Sequence, residues 1–131
     1  MEPRMIFRQL FDHDTWTYTY LLADSETRDA VIIDPVLERA DRDLLLMKEL
    51  ELKLVYTLDT HVHADHVTGS GQIRYRTEAR SVASAAANVP CVDHRVQDGS
   101  RLRFGNHEIE VRSTPGHTSG CVTYVVKIGR A

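Results

Sequence analysis

The stretch Leu54-Val55-Tyr56-Thr57-Leu58-Asp59-Thr60-His61-Val62-His63-Ala64-Asp65-His66 decides the fold class and the chemistry together. Its first five residues are a short apolar run rich in β-favouring side chains, which predicts a buried strand. The polar pair Asp59-Thr60 closes that strand. The next six residues hold three histidines and an aspartate with no bulk between them. A loop leaving the end of a buried strand is a rigid mount for ligands. Imidazoles with a carboxylate suit Zn, Fe or Mn, whereas Ca or Mg would want oxygens alone. In an extended loop, residues two apart point the same way, so His61 and His63 can share one metal. Asp65 and His66 fall past the turn and can face a second position.

A second segment reinforces the first. Thr114-Pro115-Gly116-His117-Thr118-Ser119-Gly120 places another histidine in a Gly/Pro turn directly after a predicted strand. Pro115 fixes the backbone there and Gly116 permits close approach, so His117 is expected to reach the loop from a neighbouring strand end. The candidate metal residues are therefore His61, His63 and His117, and the candidate catalytic residues are Asp65 and His66. His13, His94 and His107 stand in ordinary polar contexts and are expected to be surface or hydrogen-bonded residues. Cys91 and Cys121 show no paired ligand spacing and are expected to be reduced core residues.

Outward from the loop, the pattern alternates between strand and helix. Met5 to Phe11, Trp16 to Leu22 and Ala30 to Asp34 predict three strands separated by polar turns, with Pro35 ending the third. Glu38 to Leu52 predicts a helix whose apolar stripe is Leu44, Leu45, Met47, Leu50 and Leu52. Lys53 to Leu58 follows as a strand, so strand, helix and strand form a crossover onto a sheet. The loop then lies at the carboxyl edge of that sheet, where open α/β sheets bind ligands. Asp65 to Thr77 predicts a short helix and Arg80 to Ala83 a strand. The turn dipeptides Asp98-Gly99 and Gly105-Asn106 organise a hairpin of Arg101 to Phe104 and His107 to Ser113. Val122 to Val126 is the last predicted strand.

Composition narrows the class of function. A chain of 131 residues that is 42% hydrophobic is sized for one domain with a real core. Its formal net charge of −3, with both signs mixed along the chain, argues against nucleic acid as a partner. No stretch approaches the ~20 apolar residues of a membrane span, and no secretory signal is visible. A reduced, cytoplasmic protein is the expectation.

Residues 61–66 followed by His117 resemble the signature of the metallo-β-lactamase superfamily. Within it the chain is most similar to the persulfide dioxygenases. Phe7 to Phe11, Thr17 to Leu21, Ile33-Asp34-Pro35-Val36, Thr60 to Gly71 and Ser113 to Cys121 carry that resemblance, which runs from residue 5 to about residue 126. It implies an αββα sandwich and one Fe(II) per site in a facial arrangement of two histidines and an aspartate. His61 and His117 would be the histidine ligands, with His63, Asp65 and His66 orienting bound groups. The implied reaction oxidises glutathione persulfide with O2 to sulfite and glutathione.

The family's aspartate ligand sits in a Thr-Gly-Asp turn that residues 1–131 do not contain. The expectation is therefore a single domain, 1–131, representing about the N-terminal half of the sandwich. A homodimer or a missing C-terminal half would cover its open sheet face. Two other readings follow from the same residues. One is a thioester hydrolase resembling glyoxalase II, with two Zn ions shared among His61, His63, Asp65 and His66. The other is a non-catalytic truncated fragment.

Overall fold

The computed structural model describes residues 5–14, 16–36, 39–60, 77, 79–84, 93–113 and 122–126. The chain starts with an antiparallel hairpin of β1 (Met5–Asp12) and β2 (Thr17–Asp24), and β3 (Asp29–Ile33) returns antiparallel beside β2. Helix α1 (Ala40–Glu49) then crosses over to β4 (Lys53–Leu58), which lies parallel to β3. Two further parallel strands, β5 (Arg80–Ser84) and β6 (His94–Val96), complete a mixed sheet in the order β1-β2-β3-β4-β5-β6. A second, antiparallel sheet holds β7 (Arg101–Phe104), β8 (His107–Ser113) and β9 (Val122–Val126) in that order.

Strand alternation explains the layering. Leu22, Val31, Ile33, Leu58, Val82 and Val96 point from the first sheet into a core shared with Leu102, Phe104, Ile109 and Val111 of the second. Leu21, Ala23, Ala30, Ile32 and Leu54 point the other way, onto Ala40 and Met47 of α1. Strands β2 and β3 are therefore buried on both faces, which is why they read as continuous apolar runs rather than alternating ones. A register shift between Ala30 and Val31 leaves Val55 without a cross-strand partner on β3.

The expected strands all form within a residue or two of their expected limits. Helix α1 is shorter than the sequence pattern suggested, and its buried face differs. Ala40, Asp43 and Met47 are buried, whereas Leu45 is exposed. The run Leu44-Leu45-Leu46 wraps around the helix, so one of the three must face solvent whichever face packs. Burial pushes the Asp43 carboxyl above its ordinary pKa, against the opposing pull of the Arg42 guanidinium. The helix ends in a Schellman turn. Leu52 N–H donates to the Met47 carbonyl (2.9 Å) and Glu51 N–H to that of Lys48 (3.1 Å), with Glu51 left-handed at φ 56°. The expected helix at Asp65–Thr77 lies outside the described residues, Thr77 excepted. No helix among the described residues is long and apolar enough to cross a membrane.

Candidate metal centre

One rung fixes the edge at which the histidine loop begins. Tyr20, Ile33, Leu58, Val82 and His94 are register partners in turn across five strands. Just beyond that rung stand Thr19 on β2, Asp34 after β3, and Asp59 and Thr60 after β4. Asp34 is held left-handed (φ 54°), a conformation that a short polar side chain tolerates better than most. Its N–H donates to the Leu58 carbonyl (2.8 Å), which extends the parallel ladder one step past β3. Its carboxylate turns toward Thr60, where Oδ1 accepts from the backbone N–H (2.8 Å) and Oδ2 from the hydroxyl (2.6 Å). Buried Thr19 donates its hydroxyl to the Asp34 carbonyl at 2.8 Å and so steadies Asp34 from β2.

Asp59 is held from two further sides. Its N–H donates to the Val82 carbonyl of β5 (3.1 Å), and its carbonyl accepts from the Tyr124 hydroxyl of β9 (2.7 Å). Tyr124 packs against the core between the sheets. Burial pushes its hydroxyl well above the ordinary phenol range, and the carboxylates of Asp59 and Asp34 act in the same direction. The group therefore stays protonated, and a donor, across the ordinary pH range. Leu58, Asp59 and Thr60, the three residues before His61, thus accept or donate hydrogen bonds with Asp34 just after β3, with β5 and with β9. In the second sheet, Ser113 pairs with Val122, and this rung brackets the segment that carries His117.

His61, His63, Asp65, His66 and His117 lie outside the described residues, as do Cys91 and Cys121. Among the described residues, no group of three or more His, Cys, Asp or Glu side chains could hold a metal ion. The other histidines stand in separate places. His13 meets Phe11 edge-on (centroids 4.8 Å apart), and His94 meets Tyr56 in the same way (5.8 Å). His107 is buried with Nε2 3.9 Å from Asp24 Oδ2, at the opposite end of the sheet.

Sequence reasoning missed Asp34, Thr19 and Tyr124 as parts of this edge. Asp34 had a usable signal, an acidic residue between the buried run Val31-Ile32-Ile33 and Pro35. Tyr124 had none, because its partner is 65 residues away in the other sheet.

Comparison with known proteins agrees with this architecture. Residues 17–131 match the model of the metallo-beta-lactamase superfamily. The chain is 49% identical over 123 residues to "Persulfide dioxygenase ETHE1, mitochondrial" of Bos taurus, covering 93% of this chain and 48% of that protein. It is 35% identical over 109 residues to the hydroxyacylglutathione hydrolase of Rhodospirillum rubrum, covering 82% of this chain and 42% of the relative. Among solved structures, that of ETHE1 from Myxococcus xanthus superposes with a TM-score of 0.88 at 50% identity, covering 92% of this chain and 53% of that one. The chain thus spans about half the length of the relatives it matches.

Proposed function

The chain belongs to the metallo-beta-lactamase superfamily, and on that premise we propose that it is the N-terminal half of a persulfide dioxygenase domain. What carries the reading is the contrast in identity. It is 49% over 93% of the chain with a persulfide dioxygenase, against 35% over 82% with a hydroxyacylglutathione hydrolase.

Membership of this superfamily implies a metal cofactor. The donor set His61, His63, Asp65, His66 and His117 fits one, since imidazole and carboxylate together suit Fe(II) or Zn(II). In this reading His61 and His117 would hold Fe(II), and His63, Asp65 and His66 would orient the bound groups. In this reading an aspartate would complete the set as third ligand. When bound, such an ion would supply electron transfer between a persulfide and O2. The substrates are glutathione persulfide, O2 and one water, and the products are sulfite, glutathione and two protons.

The protein's own contribution is positional. Asp34 and Thr60 set the direction in which the chain leaves β4 toward His61. Asp59, bonded to β5 and β9, fixes how far it leaves. Ligands must be held to within about 0.5 Å for a site to function, and rigid strand ends give that precision better than free loops.

The test is anaerobic loading with Fe(II), then O2 uptake on addition of glutathione persulfide, with His61→Ala in parallel. Uptake present in the chain and absent in the variant supports the reading. Zinc-dependent hydrolysis of an S-acyl glutathione without O2 uptake would replace it with the thioester hydrolase.

A further inference from the structure

A continuous row of rings runs along the β1–β2 hairpin. Phe7 touches Tyr20 (centroids 5.9 Å apart), Tyr20 stacks on Tyr18 (6.5 Å), and Tyr18 touches Phe11 (4.8 Å). Phe11 also meets Trp16 (5.8 Å) and His13 (4.8 Å) edge-on. Register produces the row, since Phe11 opposes Tyr18 and Gln9 opposes Tyr20, and cross-strand partners share a face. Met5, Tyr20 and Leu22 turn the same face toward the second sheet, so the row continues the core between the sheets. Most of it nevertheless stays in water. Among the described residues four large apolar side chains are exposed, and three of them, Phe7 (44%), Trp16 (79%) and Tyr18 (50%), lie here. Clustered exposed rings of this kind mark a surface that meets a partner.

The charge pattern says which partner. Strand alternation puts Arg8 and Asp12 on the opposite face of β1, with Ile6. The aromatic face keeps Met5, Phe7, Gln9 and Phe11 of β1 with Tyr18 and Tyr20 of β2, none of them charged, in a chain whose residues are 27% charged. A twofold contact favours such a patch, because groups near the axis meet their own copies and a charge would meet its like. β1 is an edge strand, so no described strand of the same copy flanks the row on that side. The exposed parts of these rings come to on the order of 500 Å² per copy, so a pair would bury about 1,000 Å², the lower limit of a specific interface.

We propose that this face is a self-association surface, on which two copies of the chain pack through Phe7, Phe11, Trp16, Tyr18 and Tyr20 about a twofold axis. The contact uses no candidate metal ligand, so its test is independent of the activity.

Sedimentation of the chain from about 1 to 200 μM is expected to show a monomer–dimer equilibrium with a dissociation constant on the order of 10 μM, as suits an interface of that size. Trp16 is the only tryptophan, so its emission should move to shorter wavelength over the same range as the ring leaves water. Tyr18→Glu and Tyr18→Lys each set like charges against each other across the axis and should raise the constant at least about tenfold, whereas a one-to-one mixture of the two should pair again. Trp16→Asn, at an exposed turn position whose left-handed backbone (φ 57°) asparagine tolerates, should weaken pairing without touching the strands. Leu45→Ser, which removes the fourth exposed apolar side chain, on α1, should change nothing. A chain that stays monomeric with unshifted Trp16 emission would overturn the proposal and leave the face to a different polypeptide. So would a dimer that survives the Tyr18 and Trp16 substitutions, or a Tyr18→Glu and Tyr18→Lys mixture no more dimeric than either variant alone.

Discussion

Asp34 and Thr60 are locked together by two hydrogen bonds, 2.8 Å to the backbone N–H and 2.6 Å to the hydroxyl, across 26 positions of sequence. Asp34→Ala would strip Thr60 of both acceptors and put a β-carbon without a polar group into a left-handed backbone. A loss of about 2–3 kcal/mol is expected from the charge-assisted bonds alone. Asp34→Asn keeps one good acceptor and tolerates the same backbone, so it should lose about 1 kcal/mol. Urea unfolding of both variants checks the order, and equal losses would mean the carboxylate bonds contribute little.

The buried Asp24 sets an acid limit. Burial of Asp24 would raise its pKa. Backbone N–H groups of Asn106, Glu26 and Thr27, with the charge of nearby His107, outweigh that and leave it below the ordinary 3.8. A lowered carboxylate pKa gives stability that is fully present above the unfolded value. It is lost as pH falls through the folded value. Asp24→Asn should therefore be less stable at neutral pH and show a flatter decline below about pH 4. Chemical denaturation at a series of pH values would reveal the convergence, and parallel curves would exclude Asp24 as the source.

Gly105 turns the β7–β8 hairpin against this same carboxylate at φ 59°. An added β-carbon would collide with the Thr27 hydroxyl and lie 2.6 Å from Asp24 Oδ2. Gly105→Ala is expected to cost about 2–3 kcal/mol, from left-handed strain and overpacking together. A thermal midpoint within a degree or two of the unsubstituted chain would contradict this.

The end of α1 offers a gain. Glu51 occupies the left-handed position of a Schellman turn, where glycine is free of the β-carbon penalty. Glu51→Gly is expected to stabilise the chain by about 1 kcal/mol. Its unfolding midpoint should move up without any change in denaturant dependence. A lower midpoint would mean that the added freedom of the unfolded chain outweighs the relieved strain.

By itself, the sequence determined the elements with a clear period and the residues with a clear chemistry. The apolar runs of β2 to β4 and the β7–β8 hairpin with its two turn dipeptides were legible, and the histidines that follow β4 stand out as a motif in the sequence itself. Each is a local pattern that needs no knowledge of its neighbours. Tertiary structure decided the rest. Strand β6 is three residues long, too short to show a period, and exists through its pairing with β5. The burial of Asp43 and exposure of Leu45 depend on which side of α1 meets the sheet. Asp34 with Thr60, Tyr124 with Asp59, and Asp24 with Asn106 are contacts 26, 65 and 82 residues apart. Side-chain spacing along a chain reports which face a residue shares with its near neighbours. Directional bonds between distant residues arise only once sheet register and layer packing have brought a donor to within about 3 Å of its acceptor.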